Sequence, residues 1–217
     1  MHALRTAWAR DVAVLAPQAQ PEAVDAVGSE LVRRLAEPHR SYHTVQHVVE
    51  VFRALEELAD SGELNPIDAT LARLAGWFHD AVYDPSARQG VNELASAELA
   101  TDRLFGLGLH QAEVGLVRRL VLGTTSHELT GDRTSAAFHD ADLWILSAPP
   151  ARYSQYLAQV RREYAAVPDQ AFGTGRAAVL RPFLERSSIF ATATARDGWE
   201  DRARANLVGE LESLHLR

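Results

Sequence analysis

Apolar residues recur at helical spacing along almost the whole chain, and this periodicity limits the fold more than any other feature. The first segment carries apolar residues three or four positions apart, at Leu4, Trp8, Val12 and Leu15. Glycine and proline separate the segments, and none shows the period-two alternation of a strand. We predict an all-α bundle of about eight to ten helices, covering residues 2–16, 21–36, 41–59, 65–80, 92–106, 110–123, 134–147, 151–166, 175–186 and 199–215.

These helices are expected to form one domain. The chain has 217 residues, which suits a single domain or one with an elaboration. The polar stretch 126–134 is predicted to border the functional site and not to separate domains. Within 1–217 we distinguish an N-terminal helical extension (1–40), a core that carries the site (41–147) and C-terminal helices that complete the bundle (148–217).

Composition restricts the partners and the available chemistry. The formal net charge of -7 disfavours a surface that binds nucleic acid. Cysteine is absent, so nitrogen and oxygen must supply any metal ligands, and the absence of lysine removes Schiff-base chemistry. No apolar run approaches the roughly 18–20 residues that span a bilayer, and the first residues do not resemble a signal peptide. We expect a cytoplasmic protein with no membrane partner.

Two histidine-containing segments point to a metal site. His43 and His47 are four residues apart, so both can face one side of a helix. His79 and Asp80 end a strongly apolar helix. Adjacent residues diverge by about 100° on a helix, but at a helix end beside a bend both side chains can reach one ion.

A third segment supplies carboxylates. Asp140 and Asp142 open another apolar stretch, and either can be the last ligand. Two histidines and two aspartates from three helices would hold a divalent cation and leave one position for water. The ion acidifies such a water toward neutrality, which makes it a usable nucleophile.

The order His47, His79-Asp80, Asp142 resembles the HD superfamily of metal-dependent phosphohydrolases. The likeness runs from about Tyr42 to Glu210. More narrowly, the chain is similar to a bacterial group of predicted HD phosphohydrolases in the segments Tyr42-His43-Thr44, Phe78-His79-Asp80-Ala81-Val82-Tyr83, Asn92-Glu93, Asp140-Ala141-Asp142-Leu143, Arg161-Arg162-Glu163-Tyr164 and Gly175-Arg176. The resemblance implies a helical bundle with a divalent ion (Mn, Mg, Fe, Co, Ni or Zn), and some HD enzymes hold a second metal.

The late aspartate remains a choice between two residues. The flanking Ala141 and Leu143 favour Asp142 as the direct ligand, in which case Asp140 would orient a ligand histidine. The two aspartates are two positions apart, so they cannot share one helix face.

Further residues receive roles from their position beside these ligands. Glu93 is a candidate general base, the alternative being a first-turn glutamate that stabilises its helix. His127 is a candidate for catalysis, as a second-metal ligand or a phosphate contact, and Asp80 serves both metal and catalysis. His43 is expected to orient the site or to bind substrate. His110 is a weaker candidate, as is His139.

Three arginines are candidates for a phosphate clamp, because a guanidinium group presents a forked donor to phosphate. They are Arg161, Arg162 and Arg176, and the alternative for each is a surface ion pair.

The expected function is hydrolysis of a small phosphorylated molecule, such as a nucleotide, by a metal-dependent phosphohydrolase. Two alternatives stay open: an HD-type di-iron oxygenase, which needs more histidine ligands, and a catalytically silent module that senses a nucleotide. A small-molecule phosphate is the expected partner, and association as a homodimer also stays open.

Overall fold

Ten α-helices and one short 3-10 helix make up the part of the chain that the structure describes. The computed structural model describes residues 2–128 and 131–215, and within these ranges it contains no β-strand. No helix there is long and apolar enough to cross a membrane. The prediction of an all-α bundle is confirmed. The helices are α1 His2–Leu15, α2 Pro21–Arg34, α3 Val45–Asp60, α4 Pro66–Phe78, α5 Val91–Gly106, α6 Gln111–Gly123, α7 Arg133–Asp142, the 3-10 helix Leu143–Ser147, α8 Pro150–Glu163, α9 Asp169–Glu185 and α10 Ala193–His215.

Helix α4 has the clearest local cause. The side chain of Asn65 accepts hydrogen bonds from the backbone N–H groups of Ile67 (3.0 Å) and Asp68 (2.9 Å), and Pro66 occupies the first turn. The helix ends at Phe78, and the N–H of His79 still bonds to the carbonyl of Ala75. The His-Asp pair therefore lies at a helix end, as the sequence predicts.

Other boundaries differ from the prediction. Helix α3 begins at Val45 and not at residue 41, because Thr44 is extended and accepts the N–H of Gln46 as a cap. The predicted helix 134–147 is two elements, since α7 stops at Asp142. Helices α9 and α10 begin earlier than 175 and 199; Thr192 contributes by accepting the N–H of Ala195 ahead of α10.

Helices α3, α4 and α7 pack against one another at the centre of the bundle. Helix α4 is almost entirely buried along its second half, from Leu74 to Phe78. Helices α1, α5 and α6 also pack on α4, while α8 and α10 contact the 3-10 helix that follows α7. The site is thus carried by the three most enclosed helices.

Two helical glycines give a test of this packing. Gly28 in α2 is buried, and a Cβ atom there would lie 2.5 Å from Cδ1 of Trp8, whose indole N–H is tied to the carbonyl of Val24 at 2.7 Å. We expect Gly28→Ala to lower the free energy of unfolding by about 1–3 kcal/mol. Gly209 in α10 is exposed with nothing within 4 Å of such an atom. Gly209→Ala should therefore raise the free energy of unfolding by up to about 1 kcal/mol, because alanine favours the helix more than glycine does. Urea denaturation measures both, and equal effects would contradict the packing described.

Candidate metal centre

The structure brings the four predicted ligands to one place. His47 comes from the first turn of α3, His79 caps the C-terminus of α4, Asp80 follows in the turn, and Asp142 is the last residue of α7. One donor atom each of His47, His79 and Asp80 lies within 4.8 Å of the other two. We call these four residues the His-Asp cluster.

The donor atoms of the His-Asp cluster are spaced as ligands of one ion. The Nε2 atoms of His47 and His79 are 3.0 Å apart. Oδ1 of Asp142 lies 3.0 and 3.3 Å from these two nitrogens, and Oδ2 of Asp80 lies 3.4 and 2.9 Å from them. Ligands about 2.0–2.2 Å from a tetrahedral or octahedral ion are separated by about 2.8–3.6 Å. The observed spacing fits a divalent metal.

Hydrogen bonds on the far side of each ring fix which nitrogen faces the centre. Nδ1 of His79 is 3.0 Å from the carbonyl oxygen of Gly76, which can only accept, so this nitrogen carries the hydrogen. Nδ1 of His47 is 3.0 Å from the hydroxyl of Tyr42. When the rings are neutral, Nε2 of His79 therefore presents its lone pair to the centre, and Nε2 of His47 does so when the Tyr42 hydroxyl accepts the Nδ1–H. Such a convergence is stable only with a cation at its centre, whether a metal ion or a proton.

The charges of the His-Asp cluster reinforce one another. Burial lowers the pKa of the His79 imidazole, but the carboxylates of Asp80 and Asp142 outweigh it and hold this pKa well above its usual range. Burial raises the pKa of Asp142, yet His79 and His47 hold it well below its usual range. Both aspartates are thus ionised at neutral pH, and a metal competes with protons for the same lone pairs.

The cluster opens to solvent through its carboxylates. The side chains of Asp80 and Asp142 are 19% and 11% exposed, against 4% for His47 and 2% for His79. Solvent therefore reaches the centre from the carboxylate side, while the histidines close its inner wall.

A buried arginine, absent from the sequence predictions, holds the His-Asp turn. Arg40 donates to the carbonyl oxygens of Asp80 (2.6 Å), Ala81 (3.2 Å) and His43 (3.1 Å). The hydroxyl of Ser96 in α5 accepts the N–H of Val82 at 3.0 Å. No pattern along the chain marks Arg40 for this role, because the two backbone carbonyls that it holds in the His-Asp turn are about forty residues away. It fixes the backbone from which Asp80 projects.

The two candidate aspartates are separated by the fold. Asp140 accepts the N–H groups of Ala191 (2.8 Å) and Thr192 (2.7 Å) and the hydroxyl of Thr192 (2.7 Å). The prediction that Asp140 binds the metal, or orients a ligand histidine, is wrong: it holds the segment ahead of α10. Asp142 is the residue that meets the histidines.

A second group of histidines adjoins Asp142. Nε2 of His127 is 3.5 Å from Oδ2 of Asp142, whose Oδ1 faces His47. The rings of His127 and His139 are 5.3 Å apart, and the Nδ1 atoms of both are buried with no hydrogen-bond partner among the described residues. Burial lowers the pKa of both rings, to about 4 for His139, so both are neutral at pH 7.

His127 has an unusual backbone conformation, and a residue outside the cluster, Arg186, stabilises it. Its φ of 46° places it in the left-handed region. Arg186 donates to the carbonyl oxygens of Ser126 and His127 at 3.2 and 2.7 Å. A Cβ atom on Gly123 would lie 2.5 Å from Nε2 of His139, so glycine is needed where α6 ends beside that ring. The sequence suggests His127 but gives little reason to select His139.

Two predicted residues have no hydrogen bond to the ligands of the His-Asp cluster among the described residues. His43 lies in the turn before α3, not on the helix as predicted, and its ring centroid is 6.0 Å from that of His47. Glu93 lies in the first turn of α5, half-buried, and in the described ranges its carboxylate has neither a hydrogen bond nor an ion pair.

The predicted arginine clamp is not assembled. Arg161 pairs with Asp169 at 2.6 Å and donates to two backbone carbonyls of its own connection. Arg176 pairs with Glu210 at 2.7 Å and with the hydroxyl of Tyr156 at 2.6 Å, and Arg162 is exposed. In the part of the chain described, none of the three bonds to the His-Asp cluster. The guanidinium groups of Arg161 and Arg176 are already paired, and a phosphate-binding role for the three arginines stays a prediction.

Comparison with family models, with curated proteins and with solved structures gave no match. The chemistry of the site therefore follows from its own residues.

The two aspartates make a matched pair for testing the site. Asp142→Asn should abolish tight metal binding, because it removes an anionic ligand from between two histidines. Asp140→Asn should keep the metal and instead lower the melting temperature, since Asp140 accepts three hydrogen bonds from residues 191–192. Metal content after dialysis, measured by mass spectrometry, and thermal unfolding separate the two effects. Loss of metal from the Asp140 variant alone would reverse the assignment.

Proposed function

We propose that this chain is a metal-dependent phosphohydrolase of the HD type that acts on a small phosphorylated molecule, such as a nucleotide. The observation that carries the proposal is the convergence of two imidazole lone pairs and two ionised carboxylates on one point. His47, His79, Asp80 and Asp142 would hold the divalent ion. A bound ion would polarise a phosphoryl oxygen and acidify a water molecule.

Glu93 is proposed to accept the proton from the attacking water. The start of α5 is tied to the turn after Asp80, because Asn92 accepts the N–H of Asp84 at 3.1 Å and donates to its carbonyl at 3.0 Å. We infer that Glu93, the next residue, lies close enough to the cluster to reach the attacking water. A half-buried carboxylate with no other partner is free to take up a proton.

His43 is proposed to contact the substrate phosphate, and His127 is proposed to contact it or to bind a second ion. Their side chains are 22% and 14% exposed, so each ring reaches solvent next to the cluster. The net charge of -7 makes most of the surface unattractive to an anion. Recognition therefore depends on the cation and the histidines at the centre rather than on an arginine patch.

The function is tested by assaying metal-loaded protein against a panel of nucleotides and phosphomonoesters. We expect release of phosphate or pyrophosphate with Mn²⁺, Mg²⁺, Co²⁺ or Fe²⁺, and no turnover for His79→Ala. Glu93→Gln should reduce turnover by about 10²–10⁴-fold with the metal retained, because it removes the proton acceptor. Glu98→Gln, at an exposed position of the same helix, is the control and should behave as wild type. No turnover at full metal occupancy across the panel would refute hydrolysis.

One observation favours a second candidate, a di-iron oxygenase. Nε2 of the neutral His127 ring is 3.5 Å from Oδ2 of Asp142, whose Oδ1 faces the His-Asp cluster, and the ring of His139 lies 5.3 Å from that of His127. Such a carboxylate can bridge two ions. The same arrangement also suits a hydrolase with two metals, so the identity of the metal and the consumption of dioxygen distinguish the two functions.

Metal stoichiometry tests the second position. We expect up to two ions per chain in the wild type and one in His127→Ala, because the His-Asp cluster keeps its four ligands in that variant. His110→Ala, at an exposed histidine that precedes α6, is the control and should leave the count unchanged. One ion per chain in the wild type under saturating Mn²⁺ or Fe²⁺ would remove the support for a second site.

A further inference from the structure

A single buried carboxylate organises the turn that carries His43. Glu163 is the last residue of α8, and its side chain is 0% exposed. Its Oε1 accepts the backbone N–H groups of Ser41 (2.7 Å), Tyr42 (2.8 Å) and His43 (3.0 Å). Three converging N–H groups form an anion-binding concavity, and the carboxylate fills it. The C-terminal part of the chain is thereby fastened to the turn before α3.

The other oxygen of Glu163 acts on the His43 ring itself. Oε2 is 2.7 Å from Nδ1 of His43 and accepts the hydroxyl of Tyr83 at 3.0 Å. Burial raises the pKa of Glu163, but the bond from His43 and the backbone N–H groups outweigh it and lower the pKa to about 2. An ionised carboxylate only accepts hydrogen bonds. Nδ1 of His43 must therefore carry a hydrogen.

The His43 ring is also held on its faces. Its centroid is 4.1 Å from that of Tyr83, at an interplanar angle of 30°, and 4.9 Å from that of Tyr42, at 75°. With Nδ1 fixed, Nε2 is the nitrogen left for other partners, and among the described residues none bonds to it. The ring is 22% exposed and lies 6.0 Å from the metal-ligand ring of His47. The His43 ring thus lies at the border between the cluster and solvent.

We propose that Glu163 is a positioning residue of the site, which fixes the rotamer and the Nδ1–H form of His43 so that Nε2 hydrogen-bonds a bound phosphate. Nε2 accepts from a P–OH group or, on a protonated ring, donates to a phosphate oxygen. This role rests on the proposed function, because it assumes that the site binds a phosphorylated substrate. A purely structural role would fasten α8 to the turn without affecting phosphate.

The tautomer of His43 is the first readout. In zinc-loaded protein labelled with ¹⁵N-histidine, we expect a protonated Nδ1 for His43, assigned by the loss of its signals in His43→Gln. In Glu163→Gln, the amide oxygen is retained by the three backbone N–H groups, so the amide nitrogen donates to Nδ1 and moves the ring proton to Nε2. Glu200→Gln is the control: Glu200 also accepts backbone N–H groups, from Ile189 and Phe190, but does not touch His43.

Binding of inorganic phosphate to the zinc-loaded protein is the second readout. Glu163→Ala and His43→Gln should each weaken it by about 10-fold, in the range seen for residues that orient site groups, with zinc content unchanged. The double variant should be no weaker than His43→Gln alone, because both changes remove one interaction. Glu200→Gln should bind phosphate as the wild type does.

Several results would overturn the inference. They are an unprotonated Nδ1 of His43 in the wild type, an unchanged tautomer in Glu163→Gln, additive losses in the double variant, or absence of phosphate binding by the wild type. An unprotonated Nδ1 in the wild type would overturn the inference even if the Glu163 variants fail to fold, and the effect of His43→Gln on phosphate binding does not depend on them. Failure of the substrate panel with phosphate binding and the tautomer as expected would count against the proposed hydrolysis alone.

Discussion

The approach of two imidazole nitrogens to 3.0 Å, with two carboxylate oxygens beside them, is the constraint on which the site depends. Like lone pairs repel, so the arrangement persists only because rigid elements enforce it and a cation can relieve it. Burial of α3, α4 and α7 against one another supplies the rigidity. The contacts of the two Nδ1 atoms with Tyr42 and Gly76 then orient both rings so that each Nε2 atom points inward. Hydrogen bonds of this kind commonly orient histidines that bind metals.

Helix caps and apolar periodicity predict those parts of the site whose position depends on neighbouring residues in the sequence. The cap at Asn65 and the apolar run of α4 predict where that helix ends, and hence that His79 and Asp80 lie at a bend. The same reasoning put His43 on a helix, which is wrong because Thr44 caps α3 after it. Whether Thr44 continues a helix or begins one depends on the turn that precedes it. Glu163 of α8 holds that turn by accepting the N–H of His43.

Features decided by distant partners could not be predicted. The residues flanking Asp142 favour it over Asp140, but they do not show what Asp140 does, which depends on the 191–192 segment. Arg161 and Arg176 have the charge expected of a phosphate clamp, but they are paired with Asp169 and Glu210. Conversely, Glu163 gives no sign in the sequence of its link to His43, which is 120 positions away. A charged residue becomes informative only when its partner is known.

Charge balance at the centre favours two ions over one for a phosphohydrolase. A single divalent ion with ionised Asp80 and Asp142 is formally neutral, so it offers a phosphate dianion no net attraction. Arg161 and Arg176 are paired elsewhere, and burial keeps His127 and His139 uncharged at neutral pH. The neutral ring of His127 brings Nε2 to 3.5 Å from the outer oxygen of Asp142, so these two atoms could share a cation. A second ion held there, on the outer oxygen of Asp142, would supply the positive charge that phosphate binding requires.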